Sequence, residues 1–171
     1  AIQAPVYEKP QSKEENKPLL LPEKCASNRV ITENLFGRGI DFEIINYCIS
    51  NDLIFESLPY HNVVFVGYDE KKEPKYAAYR STNKRRIMGD CSGSKKDYSF
   101  RLGKENLEEV HLFECAIDLL SYATLAKLNG QDWKEMSFVS LSGVYSPAKK
   151  IEDSKVPIAL EKYLGSNPSV R

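Results

Sequence analysis

The chain has 171 residues and 19.4 kDa, is 42% hydrophobic and 28% charged, and carries 24 basic against 24 acidic side chains. That length supports one domain, or two small subdomains, with a real core. A mean hydropathy of -0.45 and the lack of a long apolar run exclude a membrane-spanning helix, and no charged-then-apolar start resembles a signal peptide. The zero formal charge does not exclude a polyanionic partner, because it is unevenly placed. Residues 1–70 hold 6 basic and 11 acidic groups, residues 71–104 hold 11 and 3, and residues 105–171 hold 7 and 10. The middle segment is therefore at +8, and a local field of that sign attracts polyanions whatever the total, since it is felt within roughly a Debye length, about 8 Å.

Residues 1–24 contain four of the nine prolines and eight charges, which predicts a disordered tether, with Leu19, Leu20 and Leu21 placed to dock on the fold where it begins. A helix is predicted over Ser27–Phe36, stopped by Gly37, and Gly39 allows a tight turn. Asp41 caps a second helix that puts Ile44, Ile45, Cys48 and Ile49 on one side. The period then changes to that of strands over Leu53–Glu56, Asn62–Tyr68 and Lys75–Arg80, the last two flanking a polar turn as an antiparallel hairpin. Arg86–Met88 and Tyr98–Leu102 read as further strands separated by a turn over Gly89–Ser94. Val110–Glu114 is a short apolar run suited to a buried parallel strand, followed by a helix to Gly130, a strand at Phe138–Val144 and a helix at Ile158–Leu164. The fold class is α+β: N-terminal helices and an antiparallel sheet over 25–105, then a truncated β-α-β-α half of a doubly wound unit over 106–171. The chain stops where a third parallel strand is expected.

Four cysteines (Cys25, Cys48, Cys91, Cys115) lie 23, 43 and 24 positions apart with only His61 and His111 to join them, so no zinc-ligand spacing is visible. Scattered thiols without a secretion signal fit a reducing cytoplasm. Glu114 ends the first parallel strand, where open α/β sheets place ligands; it is either a metal or proton-transfer site or a first-turn acid favoured by the helix dipole. Asp118, one turn on, shares that face or caps it. Gly89–Lys95 misses the spacing of a phosphate loop. Lys75, Tyr76, Arg80, Lys84, Arg85, Arg86, Lys95, Lys96 and Arg101 interleave cations with aromatics, the composition of a single-strand nucleic-acid surface or of a solvated hairpin with edge-protecting lysines. His111 reads as a sheet-face residue, and His61 has no visible partner.

Arg38-Gly39-Ile40, the block His61–Asp69, Pro74–Ala77, Tyr79–Thr82, and Leu112-Phe113-Glu114 with Ile117–Tyr122 resemble Toprim-containing proteins of bacterial mobile elements, in which an uncharacterised domain precedes a Toprim domain. The likeness covers about residues 18–171 and extends distantly to the catalytic core of DnaG-type primases. It implies that Glu114 is the Toprim glutamate and Asp118 the acid after it, that Ser142-Gly143 is the glycine turn after the second Toprim strand, and that Lys75 and Arg80 face single-stranded template. It also implies Mg²⁺, nucleotides and single-stranded DNA or RNA as ligands of the intact protein, with metal-dependent nucleotidyl transfer as its activity. The family's Asp-x-Asp pair does not occur in these 171 residues. The metal site at Glu114 is therefore expected to be incomplete, no Mg²⁺ is expected on this chain, and the chain itself is expected to be inert. A Toprim nuclease or nickase, and a non-enzymatic DNA-binding replication module, are the alternatives.

Overall fold

The computed structural model describes residues 17–144 and 148–171. Helix α1 spans Arg29–Gly37 and α2 spans Phe42–Ser50. Asp41 caps α2, its side chain accepting from the Glu43 amide at 2.8 Å. The apolar spacing works as expected: α1 buries Ile31 and Leu35, and α2 buries Ile44, Ile45 and Cys48. The end of α1 is held from elsewhere. Val30 and Ile31 donate their amides to the Glu56 carboxylate at 2.9 and 3.2 Å.

Strands β1 (Ile54–Glu56), β2 (Val63–Tyr68), β3 (Pro74–Arg80) and β4 (Met88–Asp90) form a four-stranded antiparallel sheet in that order. The β2–β3 turn is closed by Asp69, whose carboxylate accepts from the Lys71 and Glu73 amides, both at 2.9 Å. β4 starts two residues later than the run Arg86–Met88 suggests, so Gly89 and Asp90 are in the sheet, with Gly89 opposite Tyr79. The reason lies in that pairing: a side chain at 89 would meet the Tyr79 hydroxyl at 2.8 Å, so the glycine belongs under the ring.

β2 is buried along both faces, which hairpin alternation alone does not anticipate. Val63 and Phe65 enter the main core, whereas Val64 and Val66 join Phe55 and Ala77 in a second cluster. Leu19 packs on that second cluster, and the segment around it is tied down by Leu20 N to Ser92 O (2.9 Å) and Leu58 N to Glu23 O (2.8 Å). The described part of the expected tether thus lies along the sheet; residues 1–16 fall outside the described residues. Leu20 remains 61% exposed.

β5 (Arg101–Gly103), β6 (His111–Phe113) and β7 (Ser137–Ser140) make a three-stranded sheet in the order β5-β7-β6. β6 and β7 are parallel and joined by α3 (Ala116–Leu128), the expected β-α-β unit. The sheet also has a strand that the half-unit does not anticipate: β5, which precedes β6 in the chain, pairs antiparallel with β7, Leu102 opposite Phe138. Tyr98–Leu102, read as a strand beside the hairpin, divides into a 3-10 helix (Lys96–Tyr98) and β5 of the other sheet. α4 (Ile158–Ser166) covers the far side, its buried Tyr163 hydroxyl sharing a 2.6 Å hydrogen bond with Ser137.

A single apolar cluster spans both sheets. Ile54, Val63 and Phe65 meet Phe100, Leu102, Leu119, Leu120 and Phe138 in it, with Phe65 and Phe100 edge-to-face at 5.6 Å. Side chains of that size contribute about 1.5–3 kcal/mol each when fully buried, so the two sheets are mutually stabilised. The close approach also explains Gly67, whose added Cβ would lie 1.8 Å from the Tyr98 carbonyl oxygen. No helix among the described residues is long and apolar enough to cross a membrane.

Candidate functional site

A cavity of about 230 Å³ opens between the two sheets. One wall is the antiparallel sheet, with Tyr76, Tyr79, Arg80 and Asp90; the other is the carboxyl end of β6, with Glu114 and the Ser142-Gly143 turn. Local chemistry positions Glu114. The strand ends at Phe113, the α3 cap is Cys115, and the Gly143 amide donates to the Glu114 carbonyl oxygen at 2.9 Å. The Glu114 side chain is exposed and makes no hydrogen bond or ion pair among the described residues. It is thus presented at the strand end without being buried there.

Asp118 does not line this cavity. It lies in the first turn of α3 and accepts from the Cys115 thiol at 3.2 Å, while burial pushes that thiol above its ordinary pKa. Asp90, which was not singled out from the sequence, is occupied on both oxygens. The Tyr76 hydroxyl donates to one at 2.8 Å and Lys96 approaches the other at 3.3 Å. A Mg²⁺ ion takes about six oxygen ligands in near-octahedral array and is usually held by one or two carboxylates plus substrate phosphates. Among the described residues lining the cleft, Glu114 is the one uncommitted carboxylate, and it would be the protein ligand to such an ion.

The basic residues divide by partner. Lys75 is paired with Glu73 at 2.7 Å and Asp69 at 3.4 Å, and the Glu73 hydrogen bond raises its pKa. Lys96 is held by Asp90 and by the Ser142 carbonyl at 3.2 Å. Arg101 lies elsewhere, bonded to Glu105 at 3.1 Å and stacked on Tyr163 at 5.1 Å, where it lines a different cavity of about 750 Å³. The Tyr76 ring is 3% exposed and burial pushes its phenol well above the usual range, so it offers no face to a base. Arg80, Lys84, Arg85, Arg86 and Lys95 have no ion pair among the described residues. The first four cluster at one end of β3, whereas Lys95 bonds the backbone at Lys75, about 17 Å back along the strand.

The turn carrying Lys84, Arg85 and Arg86 is built rather than loose. The Ser81 hydroxyl bonds the Arg85 carbonyl and accepts from the Ile87 amide at 3.1 Å, and Asn83 accepts from the Arg85 amide at 2.9 Å. Thr82 ties the turn to the His61 carbonyl (3.0 Å) and to Asn34 of α1 (3.0 Å). Tyr60, the chain neighbour of His61, is 75% exposed and so offers a free aromatic face, and Ile87 and Met88 are exposed as well. His111 stacks among Tyr122 and Phe138 at 5.2 and 5.5 Å, as a sheet-face residue does. His61 has a partner after all, Glu56 Oε1 at 2.5 Å from Nδ1, because its left-handed backbone (φ 53) turns the ring back over β1.

The described architecture is that of an α+β protein with a basic, unpaired strand end beside a carboxylate-bearing cleft. Residues 35–106 match a family model described as Protein of unknown function (DUF3991). The matched span runs from the end of α1 through β5 and includes the whole basic segment; it ends before β6 and Glu114. Comparisons with curated proteins and with solved structures gave no match.

Proposed function

We propose that this chain is the single-strand-binding part of a primase-like Toprim protein, whose intact form carries out metal-dependent nucleotidyl transfer. The observation that carries the reading is the group of four unpaired cations at Arg80, Lys84, Arg85 and Arg86, with Arg80 lining the same cavity as Glu114. Phosphates tracked by that strand end would pass within reach of the carboxylate. Tyr60 supplies a face for base stacking, and cations with an aromatic platform are what sequence-tolerant single-strand binding requires.

A second reading has its own support. Among the described residues lining the cleft, Glu114 is the one free carboxylate, while the unpaired cations at the end of β3 need no catalytic centre to hold a strand, which is what a module that binds without turnover requires. The two readings are separated by activity with Mg²⁺, nucleotides and single-stranded DNA. The 171-residue chain is expected to bind the strand and neither extend nor nick it. Measurable turnover by this chain overturns both the inert-chain expectation and the module reading. In a longer protein carrying an Asp-x-Asp strand, nucleotide incorporation identifies a primase and cleavage identifies a nuclease. Binding without either identifies the module.

A further inference from the structure

The sequence spacing shows no metal site, yet the fold brings Cys25, Glu56 and His61 together with their ligand atoms all within 4.8 Å of one another. We propose that these three side chains form a zinc site, with water in the fourth position.

Each ligand is delivered by a separate segment, and each is fixed by its backbone. The Cys25 amide donates to the Glu56 carbonyl at 2.8 Å, beside the bridge between Lys24 and Ser57, so the thiol is carried to the end of β1. The loop Ser57–Asn62 closes by His61 N to Ser57 O (2.8 Å) and Ser57 N to Asn62 O (3.0 Å), which returns the imidazole over Glu56. Glu56 is 1% exposed, and its Oε2 is already held by the two α1 amides. Only Oε1 remains, and it points at His61. A carboxylate oriented by backbone donors with one oxygen left over is how metal-binding carboxylates are commonly supported.

The donor set selects the metal. Thiolate, imidazole and carboxylate together suit Zn²⁺ and are poorly matched to Mg²⁺ or Ca²⁺. A hydrogen-bonded pair of Glu56 and His61 would be complete without a sulfur, and the Cys25 thiol makes no hydrogen bond among the described residues. At zinc bond lengths of about 2.0 Å the ring nitrogen and carboxylate oxygen sit roughly 3.3 Å apart. Opening the Glu56–His61 pair to that separation needs a ring displacement of under about 1 Å, and the Cys25 sulfur lies within 4.8 Å of both atoms. His61 is 46% exposed at its side chain, so solvent reaches the open position. The site would staple the segment entering the fold to the β1–β2 loop, next to the turn that Thr82 ties to His61. It is independent of the nucleic-acid reading.

The test is titration of the metal-free 171-residue chain with Zn²⁺ and with Co²⁺ as a spectroscopic probe. One equivalent is expected, with a thiolate-to-cobalt charge-transfer band. Cys25→Ser should abolish the band, and His61→Gln should weaken Zn²⁺ binding by more than the roughly 10–100-fold that losing a ligand's hydrogen-bond partner costs. Cys91→Ser should leave both unchanged. Glu56→Ala is avoided because it also uncaps α1; circular dichroism of the Cys25→Ser and His61→Gln chains in chelator verifies that they fold. No binding, binding without a thiolate band, or binding that survives both ligand variants would overturn the proposal.

Discussion

Neutralising Arg85 and Arg86 tests the basic turn quantitatively. Each phosphate contact with single-stranded DNA contributes about -0.7 to the slope of log affinity against log salt, so the four unpaired cations at the end of β3 correspond to a slope of about -2.8. Between about 50 and 200 mM salt, that slope costs roughly 50-fold in affinity. With Arg85→Ala and Arg86→Ala combined, the slope should fall to about -1.4 and the same salt step should cost roughly sevenfold. Fluorescence anisotropy of a labelled oligonucleotide over a salt series reads both values. Lys75→Ala and Lys96→Ala serve as controls, since Glu73, Asp69 and Asp90 already occupy those ammonium groups. An unchanged slope in the double arginine variant, or an equal drop in the lysine controls, would refute the assignment of the binding face by unpaired charge.

Three further outcomes are expected. Gly67→Ala drives a methyl to 1.8 Å from the Tyr98 carbonyl oxygen and should cost about 1–3 kcal/mol or more in urea unfolding, by forcing the two sheets apart; a loss below about 1 kcal/mol would show that the strands yield there. Tyr163→Phe strands the buried Ser137 hydroxyl and should lower stability by about 1–3 kcal/mol, whereas a neutral result would mean that water reaches Ser137. Burial pushes the Cys48 thiol up to about 12 while the unfolded thiol ionises near 9.0, so its contribution is intact below pH 9.0 and is lost as pH rises from there towards 12. At pH 8 thiol reagents should label Cys25, Cys91 and Cys115 before Cys48, and fast labelling of Cys48 in the native state would contradict its burial.

Local order was legible in the chain itself. The cap at Asp41, the apolar spacing of α2 and α3, and the polar turn between β2 and β3 are set by residues within a few positions of one another, so the sequence determines them directly. The cancellation of charge between a basic middle and acidic flanks is likewise a property of the sequence alone. Pairing at a distance was not legible. Whether β5 joins the hairpin sheet or lies beside β7, and whether β2 is covered on one face or two, depends on which surfaces the packed core leaves free. The same holds for function. Residues Lys96, Arg80 and Arg101 look equivalent along the chain, and only the fold pairs Lys96 with Asp90 and lays Arg101 over Tyr163 while leaving Arg80 free. Cys25, Glu56 and His61 share no spacing that marks a site. They meet because a strand bridge, a helix end and a left-handed loop residue converge, and ligand geometry follows three-dimensional distance rather than position in sequence.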